Sequence, residues 1–307
     1  MIRLHASKKN KVEPCSVGKK GLLQLELAAN KQSSCFITNS FNTPSGEYIP
    51  LSCYSKTFIK NLLTKPPLLV QRALYPNTDF PTMAHIYIMS SAGGILEGDN
   101  LKIEIAVGNN TSSHITTQSA TKIYKMQGGY ASQEVDIVVG DYSYLEFMPR
   151  EIIPYKSSRF FQKLNLKIGS MSTVLSSEVV TAGRVASGEI FEFDSCYLRT
   201  FCVDEKNNII FLDPINVEPA HYSREELCRL FGNKTILSTT YVITKLITYD
   251  TLENEITKII HYFRPPYCGY SALPHEGGAV VKMVSNSIDD IRILNISIAD
   301  SVRSLIS

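Results

Sequence analysis

The 307-residue sequence contains no tryptophan, no long run of basic residues and no apolar run long enough to span a membrane. Its net charge is only +2, so it lacks the clustered lysine and arginine of a nucleic-acid-binding protein. The N-terminal stretch has no apolar segment of the kind found in signal peptides. We therefore expect a cytoplasmic protein that binds neither nucleic acid nor membranes.

Several catalytic and metal-binding motifs are also absent. The sequence has no GxxxxGK[ST] phosphate-binding loop and no HExxH zinc motif, and Gly269-Tyr270-Ser271 does not complete a GxSxG nucleophile turn. The seven cysteines form no CxxC pair, so we expect free buried thiols rather than a zinc or redox site. The six histidines are scattered and indicate no tight metal site. These absences argue against a P-loop nucleotide site, a zinc or redox site and a complete nucleophile elbow.

A strand pattern dominates residues 20–215. Leucines at 23, 25 and 27 alternate with less apolar residues, and the same alternation recurs in short segments separated by glycine and asparagine turns. Many short strands with frequent turn signals predict a mainly β body. Their regular spacing suits stacked sheets or a β-solenoid, although no sequence repeat is visible. Residues 39–66 contain prolines and glycine and are expected to be irregular, with at most one short strand.

Two or three helices are predicted in the C-terminal third. Ser223 and Glu226 form a capping box, which begins a short helix. Apolar residues from Leu252 to Phe263 lie on one helical face, and Pro265 ends that helix. Ser287 is expected to cap the last helix. We predict a flexible extension over residues 1–20 and a single domain over residues 21–307.

The most unusual stretch covers residues 89–126. Glycine turns at 93–94 and 98 are followed by an alternating strand over 101–107 and then by the polar run ITTQSATKIYKM. One interpretation is a β-hairpin whose polar run is a solvated face. The residues alone leave this interpretation open.

A resemblance to a known family rests on this stretch and on four others in the same order. The segments SAGGILEGD and TTQSATKIYKM resemble the signature of the urease accessory protein UreD family, called UreH in some systems. QRALY lies upstream, and LEFMPREIIP, RFFQ and a GR…GE pair lie downstream. The residues that match the family's motifs are Gly93, Gly94, Gly98, Asp99, Thr116, Thr117, Gln118, Thr121, Lys122, Pro149, Glu151, Pro154, Gly183, Arg184, Gly188 and Glu189.

The resemblance implies a non-enzymatic scaffold for nickel insertion into apo-urease, with a mostly β fold of stacked sheets. It also implies a complex with UreF and UreG, in which UreF bridges the UreD-like subunit and UreG. A dimer of such heteromers can form through UreF. Nickel would pass through an internal tunnel, and no cofactor would be tightly bound. We expect the last helix and the segment Tyr267–Pro274 to form part of the surface that docks UreF.

The acidic residues of the central stretch carry the chemical expectations. Glu97 and Asp99 are predicted to contact nickel transiently, because oxygen ligands bind it more weakly than imidazole or thiolate. The alternative is structural, with Asp99 capping a turn and Glu189 pairing with Arg184. Lys122 is expected to be buried and paired with Asp99 or Glu151.

A second functional class is a β-solenoid polysaccharide hydrolase that uses paired carboxylates such as Glu97 and Asp99. The absence of tryptophan argues against it, because sugar-binding clefts commonly stack sugars on aromatic rings.

Overall fold

A computed structural model describes residues 18–30, 54–265 and 267–307. Residues 1–17 of the predicted flexible extension and residues 39–53 of the predicted irregular segment lie outside the described residues. The strands are β1 (Lys20–Ala29), β2 (Thr57–Lys65), β3 (Leu68–Leu69), β4 (Ala84–Ser90), β5 (Asn100–Val107), β6 (Ser112–Thr117), β7 (Thr121–Ile123), β8 (Ala131–Val139), β9 (Tyr144–Phe147), β10 (Ile152–Pro154), β11 (Arg159–Ile168), β12 (Thr173–Thr181), β13 (Ser195–Val203), β14 (Ile209–Val217), β15 (Ile236–Thr244), β16 (Tyr267–Ala272) and β17 (Gly278–Ser285). The helices are α1 (Arg224–Leu230), α2 (Tyr249–Phe263) and α3 (Ile288–Leu305).

The strands form two stacked sheets. The first sheet has seven strands in the order β14-β13-β11-β8-β5-β1-β2. The path of the second runs β16-β17-β15-β12-β9-β6-β4-β3, with β10 and β7 attached at the side. The centres of both sheets are parallel, and antiparallel strands lie at their ends. This arrangement confirms the mainly β, solenoid-like fold.

The chain coils by alternating between the sheets. Strands of the second sheet begin at residues 84, 112, 144 and 173, and each coil then crosses to the first sheet. The short strands β7 and β10 pair in parallel on a third side. Side chains one coil apart therefore stack, as His85 does on His114 in the parallel pair β4–β6.

Alternation decides which side chains enter the interior. In β5, Leu101, Ile103 and Ile105 point between the sheets, where they belong to the main apolar core. A second apolar core lies on the outer face of the second sheet, where helices α2 and α3 cover it. The four described cysteines are free, and burial raises the pKa of Cys196 and of Cys202 to about 12.

The predicted helix signals are confirmed. Ser223 and Glu226 form the capping box of α1, and Ser287 accepts a hydrogen bond from the Asp290 N–H at the start of α3. Thr248 caps α2, whose residues Leu252 and Ile256 are buried. No helix of the described part is long and apolar enough to cross a membrane.

Two strand interpretations from the sequence differ from the structure. Residues 57–65 form the nine-residue strand β2, which is longer than the one short strand allowed for within the irregular segment. Most of β2 is exposed at a sheet edge, so its sequence need not alternate. The hairpin interpretation fails because β5 and β6 belong to different sheets. The polar run forms two short strands, β6 and β7, which Gln118–Ala120 separate.

Candidate functional site

A small cavity of about 100 Å³ lies between the two sheets. Apolar side chains such as Ile88, Leu101 and Ile103 form much of its wall. The motif residues that line it are Gly93, Gly94, Thr117, Gln118, Thr121, Lys122 and Pro149. The remaining motif residues lie outside its lining: Gly98, Asp99, Thr116, Glu151, Pro154, Gly183, Arg184, Gly188 and Glu189. The structure thus brings together only part of the predicted set.

A column of polar side chains crosses this apolar interior. Gln133 and Gln162 occupy matching positions on the parallel strands β8 and β11, and Gln133 Nε2 donates to Gln162 Oε1 at 3.1 Å. Gln162 Nε2 then donates to Oε1 of Glu178 on the opposite sheet at 2.9 Å. All three residues line the cavity. We call Gln133, Gln162, Glu178 and Thr200 the interior polar column.

Glu178 is the acidic member of this column and is only 5% exposed. Thr200 Oγ1 donates to its second carboxylate oxygen. Burial raises the pKa of Glu178, and the hydrogen bonds from Thr200 and Gln162 oppose that rise. Among the described residues, no lysine, arginine or histidine forms an ion pair with Glu178. The carboxyl group can therefore accept a proton or a transient cation from the cavity side.

The polar interior continues beyond Thr200 toward the surface. Asp213 lies opposite Thr200 on the neighbouring strand β14, and Tyr241 donates its hydroxyl to Asp213 Oδ2 at 2.8 Å. Lys282 Nζ lies 2.7 Å from the same oxygen, and its side chain is about half exposed. Burial first, and then the charge of Asp213, raises the pKa of Tyr241. Neighbouring polar side chains thus extend from the cavity toward a partly exposed ion pair.

The predicted nickel contacts Glu97 and Asp99 lie away from this column. Glu97 accepts the backbone N–H groups of three successive residues, Gln127 to Gly129, at 2.6, 3.2 and 2.5 Å. These hydrogen bonds, led by that of Gln127, lower the pKa of Glu97. A backbone anion nest therefore holds the carboxylate for which the sequence predicts a transient nickel contact.

Asp99 closes the preceding turn. Its two carboxylate oxygens accept the N–H groups of Leu96 and Lys19 at 2.9 and 2.8 Å. Asp99 therefore caps a turn, as the structural alternative has it. Gly98 has φ of +80°, in the left-handed region that favours glycine. Gly93 and Gly94 have no positive φ, but a Cβ at Gly94 would lie 2.7 Å from the Lys122 carbonyl oxygen.

The expectation for Lys122 was wrong. Its side chain is exposed and forms no ion pair with a described residue. The reason is register: Ile123 of β7 points into the core, so the preceding lysine points outward. Glu151 instead lies 3.2 Å from Arg292 of helix α3.

The motif around Gly183 is structural, as the alternative interpretation predicted. The Arg184 guanidinium binds both carboxylate oxygens of Glu189 and lies 4.3 Å from the centre of the Tyr155 ring. Gly183 has φ of +131°, and a Cβ there would lie 2.7 Å from the Glu189 carbonyl oxygen. This ion pair closes the loop between β12 and β13.

One buried charge network was missed from the sequence. Glu146, 1% exposed, receives hydrogen bonds from Tyr144 Oη and Arg303 Nη1 at 2.6 and 2.9 Å. Its other oxygen lies 2.6 Å from His114 Nδ1. His85 stacks on His114 with ring centres 5.0 Å apart, so these two histidines are not scattered. The parallel register of β4, β6 and β9 was the signal that would have grouped them.

Among residues 18–30, 54–265 and 267–307, no three histidine, cysteine or acidic side chains are arranged to hold a metal ion. The fold and the interior define a β-solenoid-like protein with a polar column and a small internal cavity. The family model described as UreD urease accessory protein matches residues 51–307, and the chain belongs to this family.

The relatives agree with this membership. The chain is 36% identical over 238 residues to a protein of Cenarchaeum symbiosum (strain A) named urease accessory protein UreD. The aligned region covers 77% of this chain and 83% of that relative. The chain is 34% identical over 239 residues to urease accessory protein UreD 2 of Brucella canis, covering 77% and 79%. It is 29% identical over 246 residues to the UreD protein of Photorhabdus laumondii subsp. laumondii, covering 77% and 74%.

Proposed function

We propose that this UreD-family protein is a non-enzymatic scaffold of the cytoplasm that conveys nickel to apo-urease through its polar interior. The observation that supports the proposal most is the interior polar column, which contains a buried carboxyl group with no cationic partner among the described residues. A carboxyl group without a cation costs stability in an apolar core, and hydrogen bonds from Gln162 and Thr200 offset only part of that cost, which supports a role other than folding.

The chemistry of the column suits passage better than storage. Amide, hydroxyl and carboxyl oxygens bind nickel more weakly than imidazole or thiolate does. A nickel ion could therefore exchange some of its water for oxygen ligands and still leave. The two interior cysteines do not favour tight binding, because burial raises the pKa of both thiols and keeps them protonated. Nickel is the cargo of the scaffold, and we propose no tightly bound cofactor.

The proposed partners are UreF, UreG and the apo-urease subunits. UreF would dock on the last helix and on Tyr267–Pro274 and join two heteromers, and UreG would supply nickel and hydrolyse GTP. Transient nickel contact by Glu97 and Asp99 remains a prediction. Because backbone N–H groups already engage both carboxylates, we place the passage at the interior polar column.

Reconstitution tests the function directly. Purified apo-urease, UreF, UreG, GTP and limiting nickel are incubated with and without this protein, and urease activity and bound nickel are measured. We expect both to rise only when this protein is present. Equal activation in its absence would contradict the proposal. Release of reducing sugars from a polysaccharide by the protein alone would favour the hydrolase instead.

A further inference from the structure

A second pocket, of about 180 Å³, lies on the outer face of the second sheet beside the first half of helix α3. Strand residues Tyr87 and Thr116 form one wall, and Ile291 and Asn295 of α3 form another. Arg150 and Arg292 also line this pocket. It adjoins the internal cavity, because Pro149, Arg150 and Val179 line both. Whatever binds here would sit next to the interior.

Two guanidinium groups give the pocket unmet donors. The Arg150 side chain has no hydrogen-bond or ion-pair partner among the described residues. Arg292 uses its terminal nitrogens on Glu151 and Asp289, but its buried Nε has no partner. A buried donor without an acceptor costs stability until something supplies one. A carboxylate is the matching acceptor, because a guanidinium can bind its two oxygens at once.

The rim of the same pocket is apolar and exposed. Ile296 is 55% exposed and lines the pocket, and Ile293 one turn before it is 45% exposed. Tyr87 is 39% exposed on the facing strand. A carboxylate-binding pocket with aliphatic and aromatic neighbours is typical of a protein-docking site, where arginine and tyrosine are enriched.

We infer that this pocket docks a partner-protein segment that carries an aspartate or glutamate side chain next to an aliphatic one. The inference rests on the proposed function, and it places the docking contact on Arg150 and Ile296. Docking would also neutralise Arg150, whose positive charge otherwise lies beside the cavity through which a cation passes. The partner would then both bind the scaffold and favour entry of nickel.

Binding of the full-length chain to UreF, the probe for this contact, tests the inference by calorimetry at low and high salt. The variants are Arg150→Gln, Arg150→Lys and Ile296→Asp. Matched controls are Arg229→Gln and Leu230→Asp on helix α1, where Leu230 is 68% exposed. We expect about tenfold or greater weakening for Arg150→Gln and Ile296→Asp, with the controls unchanged. Arg150→Lys should keep part of the affinity, because the charge remains.

Salt dependence separates charge pairing from a general effect on folding. Wild-type affinity should fall with added salt, and Arg150→Gln should lose most of that dependence. Undiminished binding by both pocket variants would overturn the inference while leaving UreF binding, and the proposed function, intact. Equal weakening of UreF binding by the control variants would also overturn the inference. An unchanged salt dependence of binding in Arg150→Gln would overturn it as well. Failure of the wild-type chain to bind UreF would overturn the proposed partnership and this inference with it.

Discussion

Replacing Arg303 should be one of the most destabilising single changes in the chain. Its Nη1 lies 2.9 Å from Oε1 of Glu146, and the two side chains are 10% and 1% exposed. Arg303→Met keeps much of the volume but leaves the Glu146 carboxylate buried without its cation. Breaking a buried pair in this way costs about 3–5 kcal/mol. Hydrogen bonds from Tyr144 and His114 would still stabilise the Glu146 carboxylate, so we expect a loss near the lower end of this range.

Urea unfolding followed by circular dichroism measures this loss. The matched control is Lys258→Met, which removes a surface ion pair. Lys258 Nζ lies 2.6 Å from Glu255 Oε1, closer than the two atoms of the buried pair. Because Lys258 is 72% exposed, that loss should be about 0–1 kcal/mol. The double variant Glu146→Gln/Arg303→Met should recover stability, because no uncompensated charge is left. Equal losses for Arg303→Met and Lys258→Met, or a double variant with the summed loss, would refute the reasoning.

Other predictions concern pH and backbone geometry. Burial, and then the charge of His114, lowers the pKa of His85 from 6.5 to about 4. Between pH 6.5 and about 4 the unfolded chain therefore binds more protons than the folded chain does. The free energy of unfolding should fall as the pH falls through this range. Because the ring is partly exposed, we expect a loss of about 1–2 kcal/mol. His85→Gln should flatten this pH dependence in thermal melts, and a variant that keeps the wild-type slope would refute the assignment. Gly183→Ala should lower stability by more than about 1 kcal/mol, whereas Gly128→Ala, which meets open space, should change it little in the same melts.

Local signals predicted the parts of the fold that local physics decides. The Ser223 and Ser287 caps and the alternation of β5 depend on residues a few positions apart, so the sequence alone reveals them. Edge strand β2 has no such signal, because backbone pairing with β1 rather than an alternating buried face defines it.

The interior polar column depends on residues one or more coils apart. Gln133 and Gln162 come together only when β8 and β11 are paired in register, and Glu178 reaches them from the opposite sheet. Strand β12 is almost wholly buried, so its sequence gives no alternation that would direct Glu178 inward. Lys122, in contrast, could have been placed correctly, because the buried Ile123 beside it sets the outward direction of its neighbour.

The central claim is tested most directly by the rate at which nickel reaches urease with a Glu178→Gln chain. The amide is nearly isosteric with the acid and can still accept from Gln162, so the fold and UreF binding should remain close to wild type. The control is Glu255→Gln on the surface of α2. We predict that Glu178→Gln slows nickel delivery about tenfold or more, equivalent to about 1.4 kcal/mol, while the control delivers it normally. Normal delivery by folded, UreF-bound Glu178→Gln would contradict a route through the polar interior.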